Sequence, residues 1–361
     1  MFRNLLIPIT ITSTGGGTPR MTTNIKYHFS DSGTNPSWIA KFGDGLRVFD
    51  GSPTIIEVSD AFFVPGSNCL YDRNGVRIPE SCTRRRKGLT EYVSAGPVTA
   101  SLPIDYITLN EPLIYLSFVP NHWGHFLTEG ISRLWAPLEY PELGKIASFY
   151  LPTGLHLNSN ITDFINLLGL KIHARGYSHT RSIKFRKIFI PAASFSDGGE
   201  AYSVHQKPGV HASNSHLHEN HLPVSDQPVF LSRSRFNSKR EIQNQLELES
   251  ALARKRFLIV YPEELSLPEQ ILLFNTHRHF FGCWGSAFHT ALLTRSPGRI
   301  SSHIICHRSS LPNHLLVDSI LGNDANYVES MFPVPGKEQV SPYLSLAIDV
   351  DRVLRYVVGI V

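Results

Sequence analysis

The chain has 361 residues, 42% of them apolar and 18% charged, a globular composition that rules out wholesale disorder. Its net charge of +4 is too small to mark a nucleic-acid binder, and no apolar run reaches the ~18 residues that a membrane-spanning helix needs. At roughly 100–200 residues per domain, the length suggests about two domains, or one large one.

The start, Met1 to Ile7, is apolar but breaks at Pro8 and lacks a small-residue cleavage site, so it does not read as a signal peptide. Residues 1–110 are rich in turns (Gly15–Gly17, Asp44-Gly45, Asn74-Gly75) with short strands between them, such as Pro53 to Val58. The basic run Arg84-Arg85-Arg86-Lys87 reads as a solvated loop. Cys69, Cys82, Cys283 and Cys306 form no CxxC pair, which supports neither a thioredoxin motif nor a cysteine zinc site; free thiols are expected.

From about residue 110 strands and helices alternate. Pro112 to Val119 reads as a buried strand, and a helix is expected from His125 to Leu138, with Leu127, Ile131, Leu134 and Trp135 on one stripe. Strands follow at 147–151 and 187–191, with a helix from Thr162 to Leu168 ended near Gly169. The polar stretch 192–226 reads as a linker or mobile loop. Strands are then expected at 228–232, 257–261 and 279–284, and helices at 240–254 and from Ser286. Another helix runs to Asn275, opened by a capping box of Ser266 and Glu269. Such alternation builds a parallel sheet covered on both faces, whose ligands bind beyond the carboxyl ends of the strands.

The residues that could carry chemistry sit at those strand ends. His125, Glu129 and Arg133 are spaced i, i+4, i+8, on one helical face, where a carboxylate one turn from an imidazole orients it as a base. Gly285 and Ser286, with Ala287, form a strand-to-helix turn able to offer N–H groups to an anion. Arg233, with Arg240 following, can neutralise a diphosphate, and Glu263 or Glu264 can accept sugar hydroxyls. Asn121, Gly124 and His289 are supporting candidates.

In order and spacing these segments resemble family 61 of the glycosyltransferases. The motif N-x-G-H-F-L-x-E-x-x-x-R-L is similar to Asn121 through Leu134, with one extra residue before Gly124. A Ser-Arg pair followed by an arginine and an asparagine resembles Ser232-Arg233, Arg240 and Asn244. P-E-x-L-S-x-x-E-Q resembles Pro262 to Gln270, and G-A-H-G-S-A-L-x-N resembles Gly282 to Thr290. Three residues depart from the family: Trp284 replaces its histidine, Thr290 its asparagine and Gln245 its glutamate. His289, a helical turn further on, is placed to compensate for the first.

The resemblance implies an α/β fold of GT-B-like type, two Rossmann-like domains facing across a cleft. Residues 1–200 would be the acceptor side, 201–226 a flexible polar linker, 227–335 the nucleotide-sugar domain, and 336–361 a segment crossing back to the first domain. It also implies an inverting, metal-independent transfer from a nucleotide-diphosphate sugar, UDP-linked, with no cofactor. The acceptor would be a glycan, glycolipid or other hydroxyl compound in surface or capsular glycan synthesis. His125 would be the base, held by Glu129; Arg233, Arg240, Glu263, Glu264, Gly285, Ser286 and Ala287 would hold the donor. A cytoplasmic location, with at most peripheral contact to the inner membrane, and no nucleic-acid partner are expected; self-association is compatible with this reading.

Competing readings are a nucleotide-sugar or glycan-binding protein without turnover, a metal-dependent transferase using Asp349-Val350-Asp351, and a zinc site among His211, His216, His218 and His221.

Overall fold

The computed structural model describes residues 25–28, 46–87, 90–94, 96–116, 119–146, 148–150, 157–170, 172–173, 181–218, 222–236, 242–307, 312–335 and 345–360. The expectations for the first residues, for Arg240 and for His221 lie outside these.

The chain is a mixed α/β protein with two larger sheets. One is six-stranded and wholly parallel, in the order Ile25–His28, Asp324–Glu329, Ser301–Cys306, His279–Cys283, Val229–Leu231, Leu258–Val260. Its strands read as apolar runs because both faces are covered. Val229, Leu231, Phe280 and Ile304 face one apolar cluster, while Phe230, Phe281, Ile305 and Val328 face another. The second sheet has seven strands. Leu113–Tyr115, Ser148–Tyr150 and Ile172–His173 are mutually parallel. Ile183–Pro191 runs parallel to Leu113–Tyr115 and antiparallel to Ile55–Phe63.

One apolar cluster joins the two sheets. It takes Ile114, Phe126, Leu127 and Trp135 from the side of the mixed sheet, and Phe280, Phe288, Leu292 and Leu293 from the parallel one. The segments carrying His125 and Ser286 therefore share a packed core, which fixes their relative position.

The structure corrects several expectations. The helix expected over 125–138 is broken: an α-turn at Trp123–His125 passes into a π-turn at Phe126–Gly130, and α-helix resumes only at Trp135–Glu139. Ile131 N–H reaches back five residues to the Phe126 carbonyl (2.9 Å). Gly130 permits this, since a Cβ there would stand 2.7 Å from the Phe126 ring. The stripe Leu127, Ile131, Leu134, Trp135 is nonetheless buried as expected.

Residues 201–216, inside the stretch read as a flexible linker, are built into the fold. A short strand, a 3₁₀ turn at Ser203–Gln206 and a helix at Lys207–His216 pack there. Gly209 lies so close to the Leu292 carbonyl that a Cβ would be 2.0 Å from its oxygen. Polar composition hid this because the helix buries only Pro208, Gly209, Ala212 and Ser213, none of them a large apolar residue. Arg84 to Lys87 form a strand, Thr83–Lys87, paired antiparallel with Thr90–Ser94, rather than a loop.

The C-terminal segment does not cross back. Strand Leu346–Ile348 and helix Val350–Val358 stay on the parallel sheet's side, where Val353, Tyr356 and Val357 cover Leu248, Phe281 and Val328. The crossing is made from the other end, by strand Ile25–His28 on the edge of the parallel sheet. The helix at 240–254 begins only at Gln245, after Asn244 in the left-handed region (φ 53°). The capping box forms as expected: Ser266 N–H donates to Glu269 Oε2 at 2.8 Å.

Candidate active site

Two cavities open where the segments after strands Leu113–Tyr115, Val229–Leu231, Leu258–Val260 and His279–Cys283 converge. One, of about 300 Å³, is lined by Asn121, His122, Trp123, Arg233, Glu263, Ser286 and Ala287. The other, of about 190 Å³, is lined by Gly124, His125, Asp197, Gly285, His289 and His314. They share His122 and Ser286 as wall residues.

His125 and Glu129 form the pair the i, i+4 spacing predicts: Nδ1 stands 3.0 Å from Glu129 Oε2. The histidine side chain is 47% exposed and the glutamate 6%. A carboxylate can only accept, so Nδ1 carries the proton and Nε2 keeps the lone pair. Arg133, the third residue of that spacing, is elsewhere. Past the π-turn it is turned inward and buried, donating to the carbonyls of Glu80 (2.8 Å) and Cys82 (3.0 Å).

Gly124 sits against Ser286: a Cβ at 124 would lie 2.5 Å from the serine Cβ and 3.2 Å from His289 Nδ1. Trp123 Nε1–H donates to Thr290 Oγ1 (2.9 Å) across the same contact, which gives the threonine a structural partner. Asn121 Oδ1 accepts from the Asn158 amide (2.6 Å), tying the loop to the Ser159–Leu167 helix.

Arg233 is mostly buried. Its guanidinium donates to the Trp284 carbonyl (3.2 Å) and covers Gly285 so closely that a Cβ there would be 2.1 Å from Nη1. Burial lowers its pKa, yet a guanidinium stays charged at any physiological pH. The loop bearing it is held by Gln245, whose carbonyl oxygen takes the N–H of Arg233 (2.6 Å) and Ser234 (3.2 Å) when the amide is oriented to satisfy its neighbours. Ser232 Oγ–H donates to buried Glu249 (2.5 Å).

The two glutamates at 263 and 264 part company. Glu263 lines the larger cavity, and burial raises its pKa. Glu264 turns out to an exposed bidentate pair with Arg235 (3.0 and 3.1 Å), whose guanidinium lies 3.7 Å from the Tyr261 ring centroid. Glu264 does not line either cavity.

Ser286 opens an eight-residue 3₁₀ segment, Ser286–Leu293, whose first N–H groups have no partner within the turn. His314 Nε2–H donates to the Gly285 carbonyl (2.9 Å), and the His314 and His289 rings lie 4.6 Å apart. His289 is buried, and burial, then neighbouring His314, holds its pKa well below the usual histidine value. Its Nδ1 stands against the Gly124 backbone, and among the described residues neither ring nitrogen meets a partner in hydrogen-bonding geometry.

Sequence reading missed Asn158, Asn160 and Phe236 in the larger cavity and Asp197, Asn313 and His314 in the smaller one. Asp197 lies in the stretch read as a linker. It is placed by Asn313, whose Nδ2–H donates to Asp197 Oδ1 (2.7 Å) while its Oδ1 accepts from Gly198 N–H (2.9 Å). Ligand atoms of His125, Glu129 and Asp197 all lie within 4.8 Å of one another. The other metal readings find no support among the described residues. Asp349 caps a helix, accepting from Arg352 N–H (2.9 Å). His211, His216 and His218 belong to no metal-compatible cluster.

An oriented imidazole facing an arginine and a helical N-terminus across adjoining cavities suits a group-transfer enzyme with an anionic leaving group. Residues 123–300 match the family model described as Glycosyltransferase 61, a match that supports membership of that family and a glycosyltransferase activity. No curated protein matches it. No helix among the described residues is long and apolar enough to cross a membrane.

Proposed function

We propose that the enzyme moves a sugar from a nucleotide-diphosphate sugar to an acceptor hydroxyl with inversion at the anomeric carbon. The arrangement is read as GT-B-like: residues up to about 200 form the acceptor side, and 227–335 the donor side. The observation that carries this reading is the meeting of the two cavities at His122 and Ser286, with His125, held from behind by Glu129, lining one and Arg233 the other.

The donor occupies the larger cavity, its diphosphate between Arg233 and the amides at Ser286 and Ala287, and its ribose hydroxyls toward Glu263. The acceptor enters the smaller cavity with its hydroxyl at His125 Nε2. The imidazole takes the hydroxyl proton as the oxygen bonds to the anomeric carbon from the face opposite the diphosphate. The carbon–oxygen bond to the phosphate breaks, and the nucleoside diphosphate leaves with the electron pair. Its charge is met by Arg233 and the helical N-terminus, without a metal. The family likeness favours a UDP carrier and a surface glycan as product.

Two measurements test this. A thermal-shift series with nucleoside diphosphates reads donor binding; a stabilising nucleotide supports the larger cavity's role, and no response to any sinks it. In a donor-saturated transfer assay, His125→Ala is expected to lose about 10²–10⁴ in rate while keeping the nucleotide response. Undiminished transfer removes His125 as the base. Nucleotide binding with no product from the natural chain favours a binding protein instead, the reading to which Trp284 and Thr290 point.

A further inference from the structure

We infer that His125, Glu129 and Asp197 form a binding site for a divalent transition-metal ion of the zinc class, and that occupancy of this site shuts off the base. The inhibitory half of this inference rests on the proposed role of His125; the binding half does not.

The three residues come from two separate parts of the chain, the turn after strand Leu113–Tyr115 and the loop after strand Ile183–Pro191. Their ligand atoms lie within 4.8 Å of one another. Donors each ~2.1 Å from one ion stand at most about 4 Å apart, so closing on it asks for a shift of less than ~1 Å. His125, nearly half exposed, has the freedom to make that shift, while buried Glu129 and the Asn313-held Asp197 supply a fixed floor. One imidazole and two carboxylates are borderline-to-hard donors, which suit Zn²⁺ or Mn²⁺, with Zn²⁺ the tighter.

A second observation points to an occupant of the same cavity. His289 lines it with His125 and, among the described residues, has no hydrogen-bond partner on either ring nitrogen, although only 7% of its surface is exposed. Buried polar atoms left so are rare and mark something that completes them. An ion carrying water brings both a donor and an acceptor into that space.

The consequence for catalysis follows from the ring itself. A neutral imidazole has a single lone pair. Glu129 stands on the Nδ1 side, so an ion shared with it is held by Nδ1 and the ring proton moves to Nε2, which leaves His125 unable to accept a proton from any hydroxyl. Metal and acceptor proton therefore compete for one electron pair.

The test is calorimetric titration of the full chain with ZnCl₂, with MgCl₂ as the hard-cation comparison. A 1:1 zinc site is expected, weakened about tenfold or more in Asp197→Asn and unchanged in His216→Gln, which lies in the histidine-rich helix. Melting curves confirm that each variant is folded. Zinc affinity that is absent, or equal in wild type and Asp197→Asn, overturns the site. In the transfer assay, zinc is expected to lower the rate of the wild type, chelation by EDTA to restore it, and Asp197→Asn to resist it. Zinc that binds at 1:1 without slowing transfer overturns the inhibitory half. Failure of the functional reading looks different: His125→Ala keeps transfer, while zinc binding by the wild type stands.

Discussion

Gly124 and Ser286 touch across the join between the two sheets, with room for no side chain at position 124: a Cβ there would be 2.5 Å from the serine Cβ. This contact sets how far the imidazole of residue 125 stands from the first amides of the Ser286–Leu293 turn. Gly124→Ala must push the two apart. A loss of about 1–3 kcal/mol in stability is expected from the overpacking, and a displacement near 1 Å costs about 10²-fold in transfer rate. Denaturant melts and steady-state rates check both; wild-type kinetics in this variant would mean the spacing is not what the chemistry depends on.

Arg233 is a fork, donating to the Trp284 carbonyl while facing the larger cavity. Arg233→Lys keeps the charge but not the planar geometry. Its transfer rate is expected to fall by about 10²–10³-fold, the usual cost of losing one preorganised donor to a leaving oxyanion. A lysine enzyme that matches wild type would show that net charge alone suffices there.

Arg133 was a site candidate on helical spacing, and its contacts make it a structural residue. Arg133→Met leaves the carbonyls of Glu80 and Cys82 buried without those donors. Each unsatisfied group costs about 1–3 kcal/mol. The melting temperature should drop, while rates measured well below it stay near wild type. A selective loss of turnover at unchanged stability would return Arg133 to the site.

His205 makes stability fall in acid. Its Nε2–H donates to the Leu127 carbonyl (2.9 Å), while Nδ1 stands 2.9 Å from Ser194 Oγ, whose one hydroxyl proton is shared with the Ser132 carbonyl (2.9 Å). Burial pushes its pKa down from 6.5 to about 4. Above the unfolded value both states are neutral and the group contributes nothing to pH dependence. As pH falls from 6.5 toward 4 the unfolded chain takes the proton first, and stability drops by on the order of 3 kcal/mol before levelling off. In His205→Gln, which keeps a donor but cannot titrate, the stability curve over that range should be correspondingly flatter. Parallel curves for the two proteins would assign the acid sensitivity elsewhere.

Local signals were legible where local rules decide. The Ser266–Glu269 box, the end of the Ser159–Leu167 helix before left-handed Gly169 and the His125–Glu129 pair all depend on residues within a turn or two of each other. The apolar strand runs of the parallel sheet were equally readable. What was hidden depends on side-chain packing, most of it between distant parts of the chain. The π-turn at Phe126–Gly130 exists because a glycine lets the Phe126 ring close in, and it is what carries Arg133 off the expected face. Asp197 is held beside His125 by Asn313, more than a hundred residues later. Choosing Glu263 over Glu264 needed the partner that Arg235 supplies to the latter. The helix at Lys207–His216 buries proline, glycine, alanine and serine, which carry no apolar periodicity to read.

The pairing of Ile25 with Ala325 has a bearing on how the molecule comes into being. A ribosome releases the edge strand about three hundred residues ahead of its neighbour. Until then the Ile25–His28 segment has nowhere to dock, and its capture must bridge a separation of 298 residues between His28 and Asn326. Closing so long a loop is entropically slow, which makes this pairing a late event in the folding order. Before it happens, strand Asp324–Glu329 is a bare edge open to a neighbouring chain, and the window for misassembly lies there rather than around the sugar-transfer machinery.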